Sequence, residues 1–325
     1  MTRPGAATAV AHANIALAKY WGKADDAENL PAVPSLSLTL GALSTRTVVH
    51  AEPALEFDEV TLDGVVATGK ARERAVRMLD ELRATTGKTV RLRIDSANDF
   101  PTAAGLASSA SGFAALALGA SRALGAELGA EALSSVARRA SASAARSLFG
   151  GFVALRLGAR SAEPVLAGDA FPVSMVIAVT VLGPKETGST EGMRHTLATS
   201  PYYRAWVDSA PALFAEIEAA VRARDLETLG AAMEQSALAM HASMLAARPA
   251  LVYFAPATLR AMERVRALRK SGTLAFYTMD AGPHVKVLCA SADAARVAAA
   301  LGGVEGVERV IVSGAGPAAH LEGPA

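Results

Sequence analysis

Five short segments hold most of the residues able to do polar chemistry. The first is residues 101–110, PTAAGLASSA, of the form P-x-x-x-G-L-x-S-S-A, which runs straight into an alanine-rich helical stretch. Small side chains let the backbone approach a ligand, and the hydroxyls of Ser108 and Ser109 stand where a helix begins. A helix start leaves N–H groups without partners and carries partial positive charge, so it suits a phosphate. The loop is neither a Walker A sequence nor a dinucleotide G-x-G-x-x-G. Small residues before such a helix also serve plain packing.

The second segment, NIALAKYWGK at 14–23, sets Lys19 behind the apolar run 15–18. A buried ammonium there requires an anion; the competing reading is a strand-end lysine reaching water. The third, SASAARSLFGG at 141–151, puts Ser141, Ser143 and Arg146 ahead of an apolar turn. Arginine holds a carboxylate or phosphate through two parallel hydrogen bonds, but taken alone a helix-end salt bridge is the better reading. The remaining two are GSTEGM at 188–193 and MDAGPHVK at 279–286. Asp280 lies between a strand and a Gly-Pro turn, where an aspartate usually bonds its own backbone. Asp25 and Asp26 read as solvated loop charges. His195, His241 and His284 show no metal-ligand spacing and read as surface or packing residues.

The elements that must position these residues follow from hydrophobic period. The chain has 325 residues, enough for two domains or one large one, and 51% of them are apolar. Period-two alternation marks strands over 35–40 and 90–96, with others expected at 45–51 and 151–157, and Asp63-Gly64 signals a hairpin within 60–67. Helical spacing covers 70–86, 106–124 and 130–141. The continuous apolar run at 173–182 reads as a strand central in its sheet. Helices are expected from about 201 to 247 and over 256–270. A strand–turn–strand–helix–strand order then follows to residue 313, resembling half of a ferredoxin-like domain. Strands followed by helices point to an α+β fold, with a boundary near 180–190.

Composition narrows the function. With 32 basic and 31 acidic residues the net charge is +1, which gives no nucleic-acid footprint, so any phosphate-binding charge must be local. The single cysteine, Cys289, excludes an internal disulfide and reads as a buried thiol in VKVLC. No zinc-like spacing, secretory h-region or membrane-length apolar run is present, so a cytoplasmic protein without a membrane partner is expected. The abundant alanine reads as helix-compatible filler.

Taken together and in this order, NIALAKYWGK, PAVPSLSLTL, NDFPTAAGLASSASGFAAL, SASAARSLFGGFVAL, GSTEGM with the later ATSPYY, and FYTMDAGPHVKVL resemble the mevalonate diphosphate decarboxylase family of the GHMP kinase superfamily. The phosphate loop indicates only the superfamily; KYWGK with SLFGG and MDAGP is specific to the decarboxylase branch. The resemblance implies a GHMP α+β fold. It would have a ribosomal-protein-S5-like N-terminal domain over 1–185, a ferredoxin-like C-terminal domain over 186–325, and the active site between them. It also implies ATP-dependent decarboxylation of (R)-5-diphosphomevalonate to isopentenyl diphosphate through a 3-phospho intermediate, with ATP and Mg2+ required and a homodimer as the common assembly.

Carried over by motif, Asp280 would serve the C3 hydroxyl, Lys19 would keep that carboxylate ionised, Asn14 would help orient the group, and Arg146 would hold the substrate carboxylate. Tyr20, Trp21, Gly22, Lys23, Arg74, Ser141, Ser143, Ser189 and Thr190 would surround the substrate and its diphosphate. Gly105, Leu106, Ala107, Ser108 and Ser109 would take the ATP phosphates, and no carboxylate cage for a metal is visible. His12, Ala142, Ala145 and His284 depart from the common pattern without removing a proposed catalytic group; Ala142 bears on the phosphate geometry. The rivals are a decarboxylase of the 5-monophosphate, a GHMP kinase that stops at 3-phosphorylation, and a non-catalytic binding protein. The last should have lost one of Lys19, Arg146 and Asp280, and it has not.

Overall fold

The computed structural model describes residues 5–100, 108–180 and 187–323. The chain begins with β1 (Ala6–Ala18), buried at every position from Ala9 onward. A strand covered on both faces shows no polar alternation, which is why this stretch alternates only weakly in sequence. The short hairpin of β2 (Lys23–Asp25) and β3 (Leu30–Pro31) leads into β4 (Ser35–Ala51), antiparallel to β1. The two strands expected at 35–40 and 45–51 are therefore one 17-residue strand. Its register with β1 shifts between His12 and Asn14, opposite residues 40–43. Gly41 sits in that bulge, where a Cβ would lie 3.4 Å from the Ala315 carbonyl oxygen. The glycine marks a close backbone approach, not a break in the strand.

β5 (Glu59–Leu62) and β6 (Val65–Val66) form the hairpin signalled by Asp63-Gly64, with φ of 49° and 78° at the turn. After α1 (Gly69–Thr86), β7 (Leu92–Asn98) pairs with the second half of β4 and runs parallel to β5. The helices α2 (Ser108–Ala123) and α3 (Ala130–Ala140) follow, then a 3-10 segment, Ala142–Leu148. β8 (Phe152–Leu155) pairs with the first half of β4, and β9 (Glu163–Leu166) with β8. The alanines of α2 do more than fill: Ala114, Ala117 and Ala120 are fully buried in a cluster with Val49, Ile94, Met78 and Leu79, so their small size sets how closely α1 and α2 lie on the sheet.

The second sheet is built from β10 (Val173–Val179), β11 (Ala275–Thr278), β12 (Val285–Ala290) and β13 (Arg309–Gly314), in the order β11-β12-β10-β13. β10 is inner and wholly buried, as its apolar run predicts, and it joins this sheet although it precedes residue 185. Between β10 and β11 come α4 (Ser189–Thr199), α5 (Tyr203–Ala223), α6 (Leu226–Leu245) and α7 (Pro256–Lys270); α8 (Ala294–Gly302) precedes β13, and β14 (His320–Glu322) returns to pair with β1. Alternate residues of β10 face opposite ways. Val176 and Ala178 pack with Ala261, Val265, Val297 and Leu301 of α7 and α8. Met175 and Ile177 join Ile15, Leu17, Leu36 and Leu38 of the first sheet, with Phe214 and Met233 of α5 and α6. The fold is thus α+β with one apolar core shared by the two sheets. Cys289 is buried in the second sheet, where burial pushes its thiol up to about 12. Among the described residues no helix is long and apolar enough to cross a membrane.

Candidate active site

Where β1 ends, the chain leaves the sheet pinned to α6: the Lys19 N–H donates to Ser236 Oγ at 3.0 Å. The Lys19 side chain is 1% exposed, and its Nζ lies 2.6 Å from Asp280 Oδ1. Asp280 follows β11, in the turn that leads to β12. Its other oxygen, Oδ2, lies 3.1 Å from Nζ of Lys286, a fully buried residue of β12. The side chain of Asp280 is 30% exposed, and its open side lines a cleft of about 1180 Å³. The two ammonium groups outweigh the effect of burial and hold its carboxyl well below the usual carboxylate range. Burial draws Lys19 down to about 8 despite the attraction of Asp280; the nearby charges of Lys286 and Arg146 add to the fall.

Arg146 occupies the 3-10 segment that follows α3. Period two along β4 places Ser35 and Ser37 on one face, and their Oγ atoms accept from Arg146 Nη1 at 2.7 Å and Nε at 3.0 Å. Arg146 is 2% exposed, lines the cleft, and forms no ion pair among the described residues. A buried guanidinium served only by neutral hydroxyls is a destabilising arrangement that an anionic ligand relieves. Burial lowers it to about 10, still charged at neutral pH. Asn14 ties the same segment to β1: its Nδ2 donates to the Ser143 carbonyl at 3.0 Å and to Ser147 Oγ at 2.8 Å. Its Oδ1 has no hydrogen-bond partner among the described residues.

Most of the expected site residues meet in this cleft. Asn14, Tyr20, Trp21, Lys23, Arg74, Ser108, Ser109, Ser141, Ser143, Arg146, Ser189, Thr190 and Asp280 line it, with Lys19 immediately behind Asp280. Ser108 and Ser109 open α2, and Ser189 and Thr190 open α4, so two helix N-termini face the cavity. The Ser141 and Ser143 hydroxyls are 3.1 Å apart. Trp21 is an anchor: its Nε1 donates to Thr196 Oγ1 at 3.1 Å, and its carbonyl accepts from Trp206 Nε1 at 2.8 Å, fastening α4 and α5 to the cleft wall. Arg74 donates Nη2 to the Ala140 carbonyl at 2.7 Å and stacks over Phe113 at 4.7 Å, so part of its fork closes the end of α3. Gly105, Leu106 and Ala107 lie outside the described residues.

Gly22 does not line the cleft. It has φ of 110°, and a Cβ there would come within 2.2 Å of Tyr203 Oη. Gly22→Ala is expected to destabilise the fold by about 2 kcal/mol, through left-handed backbone strain and the clash. The urea midpoint reads this directly; an unchanged midpoint would refute it.

Several participants were not assigned by sequence. Lys286 is the main one. Arg194 is another: with Lys23 it flanks Asp26, at 2.7 and 3.0 Å. Asp26 is exposed, as expected of a loop charge, but it joins two cations at the cleft wall. His241 and His284 are buried, as packing groups are, whereas His195 stands at the cleft wall. Burial pushes His241 down to about 3, His195 Nε2 lies 2.7 Å from the Pro249 carbonyl, and His284 Nδ1 accepts from the Thr180 N–H. Among the described residues no group of three or more His, Cys, Asp or Glu side chains is placed to hold a metal ion.

Comparison with known proteins shows which family the chain resembles. Residues 11–166 match the family described as diphosphomevalonate decarboxylase-like N-terminal domain, and residues 175–310 match mevalonate 5-diphosphate decarboxylase C-terminal domain. The chain is 35% identical to the diphosphomevalonate decarboxylase of Aspergillus fumigatus, over 92% of this chain and 80% of that protein. It is similar to the mevalonate diphosphate decarboxylase of Staphylococcus aureus, with 35% identity, a TM-score of 0.93 and 98% of each chain covered. It is also similar to MDDEF in complex with MVAPP, AMPPCP and magnesium, with 37% identity, a TM-score of 0.91, and 98% and 99% of the two chains covered.

Proposed function

Because the chain belongs to the diphosphomevalonate decarboxylase family, we infer that its cleft converts ATP and (R)-5-diphosphomevalonate to isopentenyl diphosphate, ADP, phosphate and CO2. The carrying observation is the pairing of two groups: a carboxylate clamped by Lys19 and Lys286, and a buried guanidinium, Arg146, without a carboxylate partner among the described residues. Three cations around one carboxylate leave the pocket with positive charge for an anionic substrate to offset.

The steps follow from these charges. Asp280 accepts a hydrogen bond from the C3 hydroxyl and aims it at the γ-phosphoryl group. A carboxylate this acidic is a weak base, but phosphoryl transfer passes through a loose transition state in which the nucleophile's proton is little needed early on. Orientation is therefore its main contribution, with the proton received late. The 3-phosphate then leaves with the C3–O electrons. The electrons of the bond to the substrate carboxyl form the new C=C bond as CO2 departs. Arg146 and Asn14 fix that carboxylate so that the breaking bonds align. The pocket's net positive charge stabilises the departing phosphate.

Lys23, Arg194 and Arg74, with the Ser141 and Ser143 hydroxyls, support a diphosphate on the substrate rather than a monophosphate. The N-terminal hydroxyls of Ser108 and Ser109 suit the nucleotide phosphates. Magnesium, which is usually held through substrate phosphates with one or two carboxylates, would be bound together with the nucleotide beside Ser108 and Ser109 and would supply charge neutralisation there. Family resemblance further supports a cytoplasmic homodimer, which sedimentation of the purified chain tests for assembly.

The test is to incubate the protein with ATP, magnesium and either mevalonate 5-phosphate or its 5-diphosphate. CO2 and free phosphate from the diphosphate are expected. Phosphate transfer without CO2 would replace this reading with a 3-kinase, and preference for the monophosphate would revise the substrate. The pH profile gives a second expectation. The reaction needs Lys19 charged, so kcat/KM should fall above pH about 8 as its ammonium loses its proton. A profile flat to pH 9.5 would contradict that role.

A further inference from the structure

Lys286 is fully buried and does not line the cleft, so it cannot meet substrate directly. It pairs in register with Thr278 of β11 and Ile177 of β10. Val285 and Val287 pack toward α7 and α8, while Leu288, two residues on from Lys286, packs toward the first sheet. Alternation thus turns the Lys286 side chain toward the cleft side. There its ion-pair partner among the described residues is Asp280 Oδ2, while Lys19 takes Oδ1.

Each carboxylate oxygen has two lone pairs. A carboxylate held through one oxygen can still pivot about its Cβ–Cγ bond, whereas one held through both cannot. We propose that Lys286 is a positioning residue for the reaction: its ammonium, 3.1 Å from the second oxygen of Asp280, attracts that oxygen by charge and resists rotation of the carboxylate, so the lone pairs left free stay aimed at the substrate hydroxyl. The inference rests on Asp280 facing that hydroxyl, as argued above. It gives Lys286 a second effect, because a like charge on the same carboxylate makes the Lys19 proton easier to lose. The charged and titratable groups that bear on the trio are Arg146 and, from α6, His241, and Tyr20 bears in turn on Arg146. Burial keeps His241 neutral at working pH and raises the Tyr20 hydroxyl above its ordinary range.

Lys286→Met keeps the volume and removes the ammonium; Lys286→Gln keeps a polar head group near Oδ2 without the charge. In Lys286→Met, kcat should fall about 10- to 100-fold with KM nearly unchanged, as expected for misplacement of a reacting group. The alkaline limb of kcat/KM should move up by about one pH unit. Lys286→Gln should recover part of kcat while keeping the shifted limb, and it carries the test if the methionine variant does not fold. Wild-type kcat with an unmoved limb would overturn the proposal. So would a loss of activity that merely tracks the folded fraction in near-UV circular dichroism. Asp280→Asn run in parallel separates the two readings. If it retains turnover, the assignment of Asp280 fails. If it loses turnover and Lys286→Met does not, only the role of Lys286 fails.

Discussion

Asp280→Asn should lower kcat by about 10³-fold while nucleotide and substrate still bind, the range expected when a proton-accepting group is lost. The asparagine keeps an oxygen for one lysine and fits the same space, but it cannot receive the hydroxyl proton even late in the step. It also leaves Lys19 and Lys286 buried without an anion, so the variant should lose about 3 to 5 kcal/mol of stability at neutral pH, as when one partner of a buried ion pair is removed. In the native enzyme the depressed Asp280 pKa contributes stability that is present above the unfolded carboxylate value near 3.9 and is lost as pH falls through the folded value. In the variant Lys19 loses the attraction that offsets its burial, so its folded pKa lies below the unfolded value near 10.4, the unfolded chain binds more protons in that window, and stability rises with pH there. Denaturation at pH 7 and pH 9.5, with nucleotide binding and single-turnover rates, tests both parts. Equal loss of binding and turnover, or near-normal turnover, would reject the assignment.

Arg146 should show the opposite coupling between stability and activity. Arg146→Met is expected to reduce kcat/KM by about 10³-fold yet to unfold at the same or a higher denaturant concentration. The native guanidinium is desolvated and, among the described residues, hydrogen-bonds only the Ser35 and Ser37 hydroxyls, so replacing it with an apolar side chain of similar length removes an unfavourable burial. Arg146→Lys should lose about 10²-fold, because a single ammonium cannot serve both hydroxyls and grip a carboxylate at two points. A lowered midpoint in the methionine variant, or unchanged kinetics in the lysine variant, would show that Arg146 is a structural group and not a substrate anchor. Sites that keep strain for function commonly show this trade.

The parts of this architecture legible in the sequence are those with a solvent-facing side. β7 alternates Leu92 and Ile94 with Arg93 and Asp95, and the Asp63-Gly64 turn has the positive φ values a tight hairpin needs. β1 left little trace because both its faces are covered. The long β4 covers the two strands expected at 35–40 and 45–51, and Gly41 between them admits the backbone of Ala315 and Gly316, nearly 275 residues away along the chain, a contact that local sequence does not announce. Among site residues, Lys19, Arg146 and Asp280 each had a bland local explanation and became compelling only in combination. The structure removes those explanations: Lys19 does not reach water, Arg146 has no salt bridge among the described residues, and Asp280 directs its carboxylate at two lysines. Lys286 did leave a signal, a lone cation inside the apolar strand VKVLCA. A charge in a strand covered on both faces requires a counter-charge, but sequence alone does not say which acid provides it.

The core shared by the two sheets bears on how the gene could be divided. The two family matches end and resume between residues 166 and 175, which looks like a natural place to cut. Yet Ile15, Leu17, Leu36 and Leu38 on one side rest against Met175, Ile177, Phe276 and Leu288 on the other. Separated fragments would each carry a bare oily face and aggregate, whereas the two halves expressed together should find each other and restore turnover. Heat should melt the intact enzyme in one step.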